Sequence, residues 1–153
     1  MMAITLVWTG IGLIKAMMAP DPLYIDTNDH DQVAFGRGLY MSHCAACHGM
    51  NLEGQPNWRI RGASGRLPAP PHDGTGHTWH HSDAVLMDII QNGMVPGRTA
   101  PEGYASDMPA YAGILSDDEI MAILAYIKST WPDDIRALQR EVTFSSRRGD
   151  SSF

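Results

Sequence analysis

Cys44-Ala45-Ala46-Cys47-His48 decides the fold, because it has the C-x-x-C-H pattern by which c-type haem is attached. Two thiols one helical turn apart can bond to the two vinyl groups on one edge of a porphyrin, and the histidine that follows directs a ring nitrogen at the iron. A zinc site would need two more cysteines or histidines at regular spacing, and a thioredoxin-like thiol pair occurs in a βαβ context that is not visible in this sequence. The motif therefore predicts one covalently attached haem c.

The composition is that of one globular domain. The chain has 153 residues, of which 44% are hydrophobic, so it is long enough to bury a core. Its formal net charge is −6 and no basic run is long enough to indicate nucleic-acid binding. Both cysteines belong to the haem motif, so no disulfide framework is expected. The acidity favours association with basic patches on redox partner proteins.

The first residues predict an export signal or a membrane anchor. Residues 1–14 carry no charge, a length that suits an export signal and is short for a helix that spans a membrane. No basic region precedes them and Pro20 follows Ala19, the expected cleavage point, so an uncleaved anchor stays open; a buried core helix is the third alternative. Bacterial haem attachment of this kind follows export. We therefore expect a periplasmic protein, either soluble after cleavage or anchored to the inner membrane.

We expect the chain to have four parts. Residues 1–19 are the signal or anchor, 20–30 are an acidic linker, 31–143 are the folded domain, and 144–153 are a disordered tail rich in serine and arginine.

Four helices are predicted within the domain. The first begins near residues 29–31, where acidic side chains suit a helix start, and leads into the haem motif. Ser82 and Gly93 bound a short amphipathic helix. Ser116 and Glu119 form a capping box that starts the next helix, which stops at Trp131-Pro132. A surface helix then runs from Pro132 to about Val142.

The segment between the first two of these helices, residues 49–81, is rich in proline and glycine and has little periodicity. A loop of this length inside a domain needs a reason, and wrapping a large flat cofactor is one. A carbonyl oxygen from Pro56, Pro70 or Pro71 is expected to accept the N–H of the His48 ring, the contact that orients a metal-bound histidine. The sequence does not choose among the three.

Four histidines, His72, His77, His80 and His81, cluster at the end of this loop. One interpretation is a second metal site for an ion such as copper. The alternative, which we favour, is a set of surface histidines or of histidines that contact the haem propionates. Adjacent histidines rarely both face one ion, and no carboxylate or thiol repeats with them.

The second axial ligand of the iron is expected to be Met108. Most of the ten methionines fall in the first residues, in helices or next to His48, which leaves Met94 and Met108 on loops that can meet a haem face. Met108 is favoured because Pro109 stiffens its loop and because 60 residues separate it from His48 (108 − 48 = 60). Met94 and a histidine of the cluster are the alternatives.

Together these motifs resemble a class I c-type cytochrome over roughly residues 33–131. The resemblance rests on Gly36 and Tyr40 before the haem motif, on Met108-Pro109, and on the stretch Leu115-Ser-Asp-Asp-Glu119 that leads to Ile123 and Tyr126. It implies an all-α fold of about four or five helices with long loops wrapped around one covalently attached haem.

The resemblance also implies a specific helix contact. The first and last helices of such a domain cross at nearly a right angle, so Gly36 and Tyr40 should contact Ile123 and Tyr126. The long proline-rich loop, the histidine cluster and the final helix depart from compact members of the family.

The function predicted from these features is electron transfer between redox partner proteins, with no catalytic residues. His48 and Met108 would be the axial ligands, and a six-coordinate iron suits a carrier rather than an enzyme. The alternatives are a haem enzyme or gas sensor with an open sixth position, in which one of the clustered histidines is the distal acid or base, a cytochrome subunit of a larger oxidoreductase, and a metal-binding module.

Overall fold

A computed structural model describes residues 23–146 of the chain. Within this range the regular structure is helical, and the strand-like pairing consists of two isolated bridges. This confirms the predicted all-α fold. The helices are α1 (His30–His43), α2 (Ala45–His48), α3 (Asp83–Asn92), α4 (Asp117–Ser129) and α5 (Asp133–Ser145), with one turn of 3-10 helix at Thr78–His80. The predicted signal or anchor at residues 1–19 and most of the predicted tail lie outside the described residues.

Side-chain caps set the start of three helices. An oxygen of Asp29 accepts the backbone N–H groups of Asp31 and Gln32 at 3.1 and 3.0 Å, so α1 begins where the acidic residues predict. Ser82 caps α3. Ser116 and Glu119 bond reciprocally at the start of α4, which confirms the predicted capping box.

The largest helix contact in the described residues joins α1 and α4. A Cβ at Gly36 would lie 1.8 Å from the carbonyl oxygen of Ala122 and 3.0 Å from the backbone nitrogen of Ile123, so only glycine allows this approach. One turn further along α1, the buried Tyr40 ring lies 5.4 Å from the Tyr126 ring. The predicted pairing of Gly36 and Tyr40 with Ile123 and Tyr126 is confirmed.

A buried ion pair connects α3, α4 and α5. The Nζ of Lys128 donates to both carboxylate oxygens of Asp83 at 2.8 and 2.7 Å, and the two side chains are only 2% and 0% exposed. The Gln139 amide and the backbone N–H of Ile25 donate to the same carboxylate, each at 2.7 Å. Asp83 therefore holds together four segments of the chain.

The structure around this ion pair differs from two predictions made from the sequence, one for the final helix and one for the linker. The sequence predicts a surface helix that ends near Val142, whereas α5 ends at Ser145 and buries Gln139 and Thr143 against Asp83. The two fully buried residues of α5 are polar, so a search for apolar periodicity misses them. The sequence also predicts a linker at residues 20–30, whereas Ile25 is part of the buried core.

Candidate haem-binding site

The C-x-x-C-H motif lies at the junction of α1 and α2. The backbone N–H of His48 donates to the carbonyl oxygen of Cys44 at 2.9 Å, and that of Cys47 donates to the same oxygen at 3.1 Å. Gly49 then ends α2 with a φ of +83°, a conformation that favours glycine. Both thiols and the imidazole therefore belong to one helical turn, as attachment to one porphyrin edge requires.

The Cys44 thiol does not have the character of a redox-active cysteine. Burial, together with the charge of Cys47, raises the pKa of Cys44 to about 11. Redox-active cysteines have lowered pKa values, because the thiolate is the reactive form. The alternative of a thioredoxin-like motif is therefore disfavoured.

One nitrogen of the His48 ring is hydrogen-bonded to the backbone. Its Nδ1 lies 2.8 Å from the carbonyl oxygen of Pro70, and since a carbonyl only accepts, Nδ1 carries the hydrogen. Burial lowers the pKa of this imidazole, whose residue is 8% exposed, and the bond to Pro70 partly opposes the effect. The unprotonated Nε2 is the nitrogen left to bind a metal, so the donor set fits an iron porphyrin. Of the three candidate prolines, Pro70 makes the contact.

The base of the proline-rich loop (residues 49–81) holds Pro70 in place. The backbone N–H of Gln55 donates to the carbonyl oxygen of Ala69 at 2.9 Å, and the Gln55 side chain accepts the N–H of Ala69 in return. A Cβ at Gly54 would lie 2.4 Å from the backbone nitrogen of Pro71, so the two sides of the loop touch there. This closure directs the Pro70 carbonyl at His48.

The His72 ring stacks on a haem-motif residue and not on the other clustered histidines. Its ring stacks on that of His48, with centroids 3.9 Å apart and planes 25° apart. Its Nδ1 lies 2.8 Å from the Thr78 hydroxyl, and burial holds the pKa of His72 well below its usual value. The sequence predicts His72 only as one of four clustered histidines. It does not predict the stack on His48, because a ring stack depends on tertiary structure.

His77, His80 and His81 contact one another instead. The His77 ring lies 4.7 Å from His80 and 5.0 Å from His81, and His80 stacks on Trp79. No group of three or more metal-binding side chains converges within residues 23–146. The hypothesis of a second metal site therefore receives no support from the described residues.

Met108 lies in a loop that is tied to the end of α1. The half-buried Met108 packs against the core, and its backbone N–H donates to the Ser106 hydroxyl at 3.0 Å. The Tyr111 hydroxyl donates to the carbonyl oxygen of His43 at 2.6 Å, one residue before the haem motif. The sequence analysis does not predict this role of Tyr111. The available signal was its position three residues after Met108, which places it in the same loop. Met94 is also half-buried but is not among the residues that pack on this core.

Two further contacts connect this Met108 loop (residues 104–115) with the proline-rich loop. Arg66 forms an ion pair with Asp107, and the Arg61 guanidinium lies 5.5 Å from the centre of the Tyr104 ring. Both contacts lie at the surface. The loop that positions Pro70 and the loop that carries Met108 are therefore joined directly.

A groove of about 780 Å³ lies elsewhere, between Trp79 and the residues of α5 that include Leu138 and Phe144. Neither the haem motif nor Met108 lines it. None of the helices within residues 23–146 is long and apolar enough to cross a membrane.

Comparison with known proteins identifies the family of the chain. A cytochrome bc1 complex cytochrome c subunit from Corynebacterium efficiens is 38% identical over 55 residues, which are 35% of this chain and 19% of that protein. The chain therefore matches only about a fifth of that relative. No solved structure gives a significant match. The profile of the family described as cytochrome c matches residues 33–131. Since this match covers more than half of the chain, the protein belongs to the cytochrome c family.

Proposed function

We propose that this protein is an electron carrier with one haem c, whose iron is bound by His48 and Met108. Family membership supports electron transfer and a covalently bound haem c. The single observation that carries the proposed role of His48 is the bond between its Nδ1 and the Pro70 carbonyl, because this bond leaves Nε2 as the ligand nitrogen.

The chain provides the attachment in a fixed order. Cys44 and Cys47 would form the two thioether bonds, and His48 follows them within the same helical turn. The bond to Pro70 prevents rotation of the imidazole and increases its basicity as a ligand. Bound haem would supply an iron that alternates between the ferrous and ferric states.

Met108 is the proposed sixth ligand. Its loop is held by Tyr111 at the end of α1 and by the ion pair of Asp107 with Arg66. A thioether held in this way would keep the iron six-coordinate, raise its reduction potential and exclude small ligands. These properties suit a carrier, and no residue is needed to activate a substrate.

We further propose that the protein exchanges electrons with protein partners on the periplasmic side, either free or tethered by residues 1–19. The partial similarity to a cytochrome bc1 complex subunit favours a second candidate, a cytochrome subunit of a larger oxidoreductase. The two differ in whether the protein is isolated alone or with other chains after mild detergent extraction.

Absorption spectra of holoprotein matured in a bacterial periplasm test the proposal. The oxidised protein should show the weak long-wavelength sulfur-to-iron band, and the reduced protein should not bind carbon monoxide. A high-spin iron, or rapid carbon monoxide binding by the wild type, would favour a haem enzyme or sensor instead.

Met108→Ala identifies the ligand. Because the thioether is lost, the variant should lose the sulfur-to-iron band, bind carbon monoxide when reduced and have a lower reduction potential. Met94→Ala is the matched control and should leave all three properties unchanged. If Met94→Ala has these effects and Met108→Ala has none, Met94 is the ligand. If neither variant changes the spectrum, neither methionine is the ligand.

A further inference from the structure

His72 is held on several sides, although electron transfer as described above gives it no role. Its backbone N–H donates to the carbonyl oxygen of Leu52 at 2.8 Å, and its carbonyl oxygen accepts the indole N–H of Trp131 at 2.7 Å. Its ring bonds to Thr78 and makes a T-shaped contact with the Tyr40 ring, with centroids 6.3 Å apart. A surface histidine would not be held in this way.

The held ring lies against one face of the His48 imidazole, with a centroid distance of 3.9 Å and planes inclined by 25°. Stacked aromatic rings at this separation are in contact. Pro70 restrains the edge of the His48 ring at Nδ1, and His72 covers one of its faces. Together the two contacts restrict both rotation and tilt of the imidazole.

We propose that His72 is a positioning residue that orients the His48 ring and lowers the reduction potential of the iron that His48 binds. This inference rests on the proposed function, since it assumes that His48 is an axial ligand. The His48 imidazole would carry more positive charge when the iron that it binds is oxidised. The π-face of a neutral aromatic ring stabilises such charge, so the His72 stack favours the ferric state.

Two substitutions separate this effect from packing. His72→Leu fills much of the space but removes the π-face, so it should raise the reduction potential of the holoprotein. His72→Phe keeps an aromatic face and should leave the potential closer to that of the wild type. His80→Leu is the matched control, because His80 stacks on Trp79 rather than on His48, and it should not shift the potential.

Proton NMR of the ferric protein gives a second readout. The hyperfine-shifted haem methyl resonances depend on the orientation of the axial ligands, so His72→Leu should change their pattern more than His72→Phe. Thr78→Val removes the hydroxyl that holds the His72 ring and retains the ring itself. It should change the potential and the methyl pattern in the same direction as His72→Leu, but by less.

The proposal is overturned if His72→Leu and His72→Phe shift the potential equally, or if neither shifts it. If His72→Leu does not yield holoprotein, the comparison of Thr78→Val with the wild type decides, and an unchanged potential and methyl pattern overturn the proposal. Carbon monoxide binding by the wild type reports separately on the proposed carrier function, so the two failures are distinguishable.

Discussion

Gly36 is the residue on which the approach of α1 to α4 depends. A methyl group there would lie 1.8 Å from the Ala122 carbonyl oxygen, which is backbone and cannot rotate away. Gly36→Ala should therefore push the two helices apart and lower the free energy of unfolding by about 1–3 kcal/mol, the usual cost of overpacking. Denaturant unfolding of the holoprotein, followed by far-UV circular dichroism, measures the change.

Gly38 provides the control on the same helix. A Cβ at this position would meet nothing within 4 Å, so Gly38→Ala changes only the helix propensity and should raise the stability by about 0.5–1 kcal/mol. Equal effects of the two substitutions would show that the close contact at Gly36 does not limit packing.

At the residue scale, the sequence predicts the residues of the haem motif better than it predicts the residues that contact them. Cys44, Cys47 and His48 are recognisable because covalent attachment requires adjacent groups at a fixed spacing. The choice of Pro70 over Pro56 and Pro71 depends on how the base of the proline-rich loop closes, which no local pattern encodes. The stacking of His72 on His48 depends on the same loop closure, so the sequence does not predict it either.

At the element scale, the buried pair of Lys128 and Asp83 anchors α5. Lys128→Met removes one partner and leaves the Asp83 carboxylate buried with only neutral donors from Gln139 and Ile25. Breaking a buried pair in this way should cost about 3–5 kcal/mol of unfolding free energy. Thermal and denaturant unfolding of the holoprotein check the expected loss.

Arg98→Met tests whether any lost ion pair has the same effect. Arg98 pairs with Asp88 at the surface, where an ion pair contributes about 0–1 kcal/mol, so this variant should be nearly as stable as the wild type. If Lys128→Met cost as little as Arg98→Met, the buried network would not be what holds α5 to the domain.

The contrast between α4 and α5 shows what a pattern can predict about an element. The start of α4 is encoded locally, by Ser116 and Glu119, and its buried stripe is apolar. The fully buried residues of α5 are Gln139 and Thr143, and both of them bond to Asp83. A polar face whose partners lie more than 50 residues away resembles a solvent face in the sequence.

At the scale of the whole molecule, two long loops hold the residues of the proposed haem site. The proline-rich loop supplies the Pro70 carbonyl to His48, and the Met108 loop supplies the proposed sixth ligand. Their direct connection is the ion pair of Arg66 with Asp107, whose side chains are 45% and 69% exposed, and the Arg61–Tyr104 contact. Retention of Met108 on the iron should therefore depend partly on a surface contact.

Asp107→Asn should weaken this connection and let external ligands compete better for the sixth position. An exposed ion pair contributes at most about 1 kcal/mol, so the apparent affinity of the ferric holoprotein for imidazole should rise by no more than about fivefold. Salt screens exposed charges, so the difference from the wild type should disappear near 1 M salt. Asp133→Asn, which breaks the exposed pair with Arg136 within α5, is the control and should leave imidazole binding unchanged. An effect of Asp107→Asn that persists at high salt would point to a change in the Met108 loop itself rather than to the loss of the ion pair.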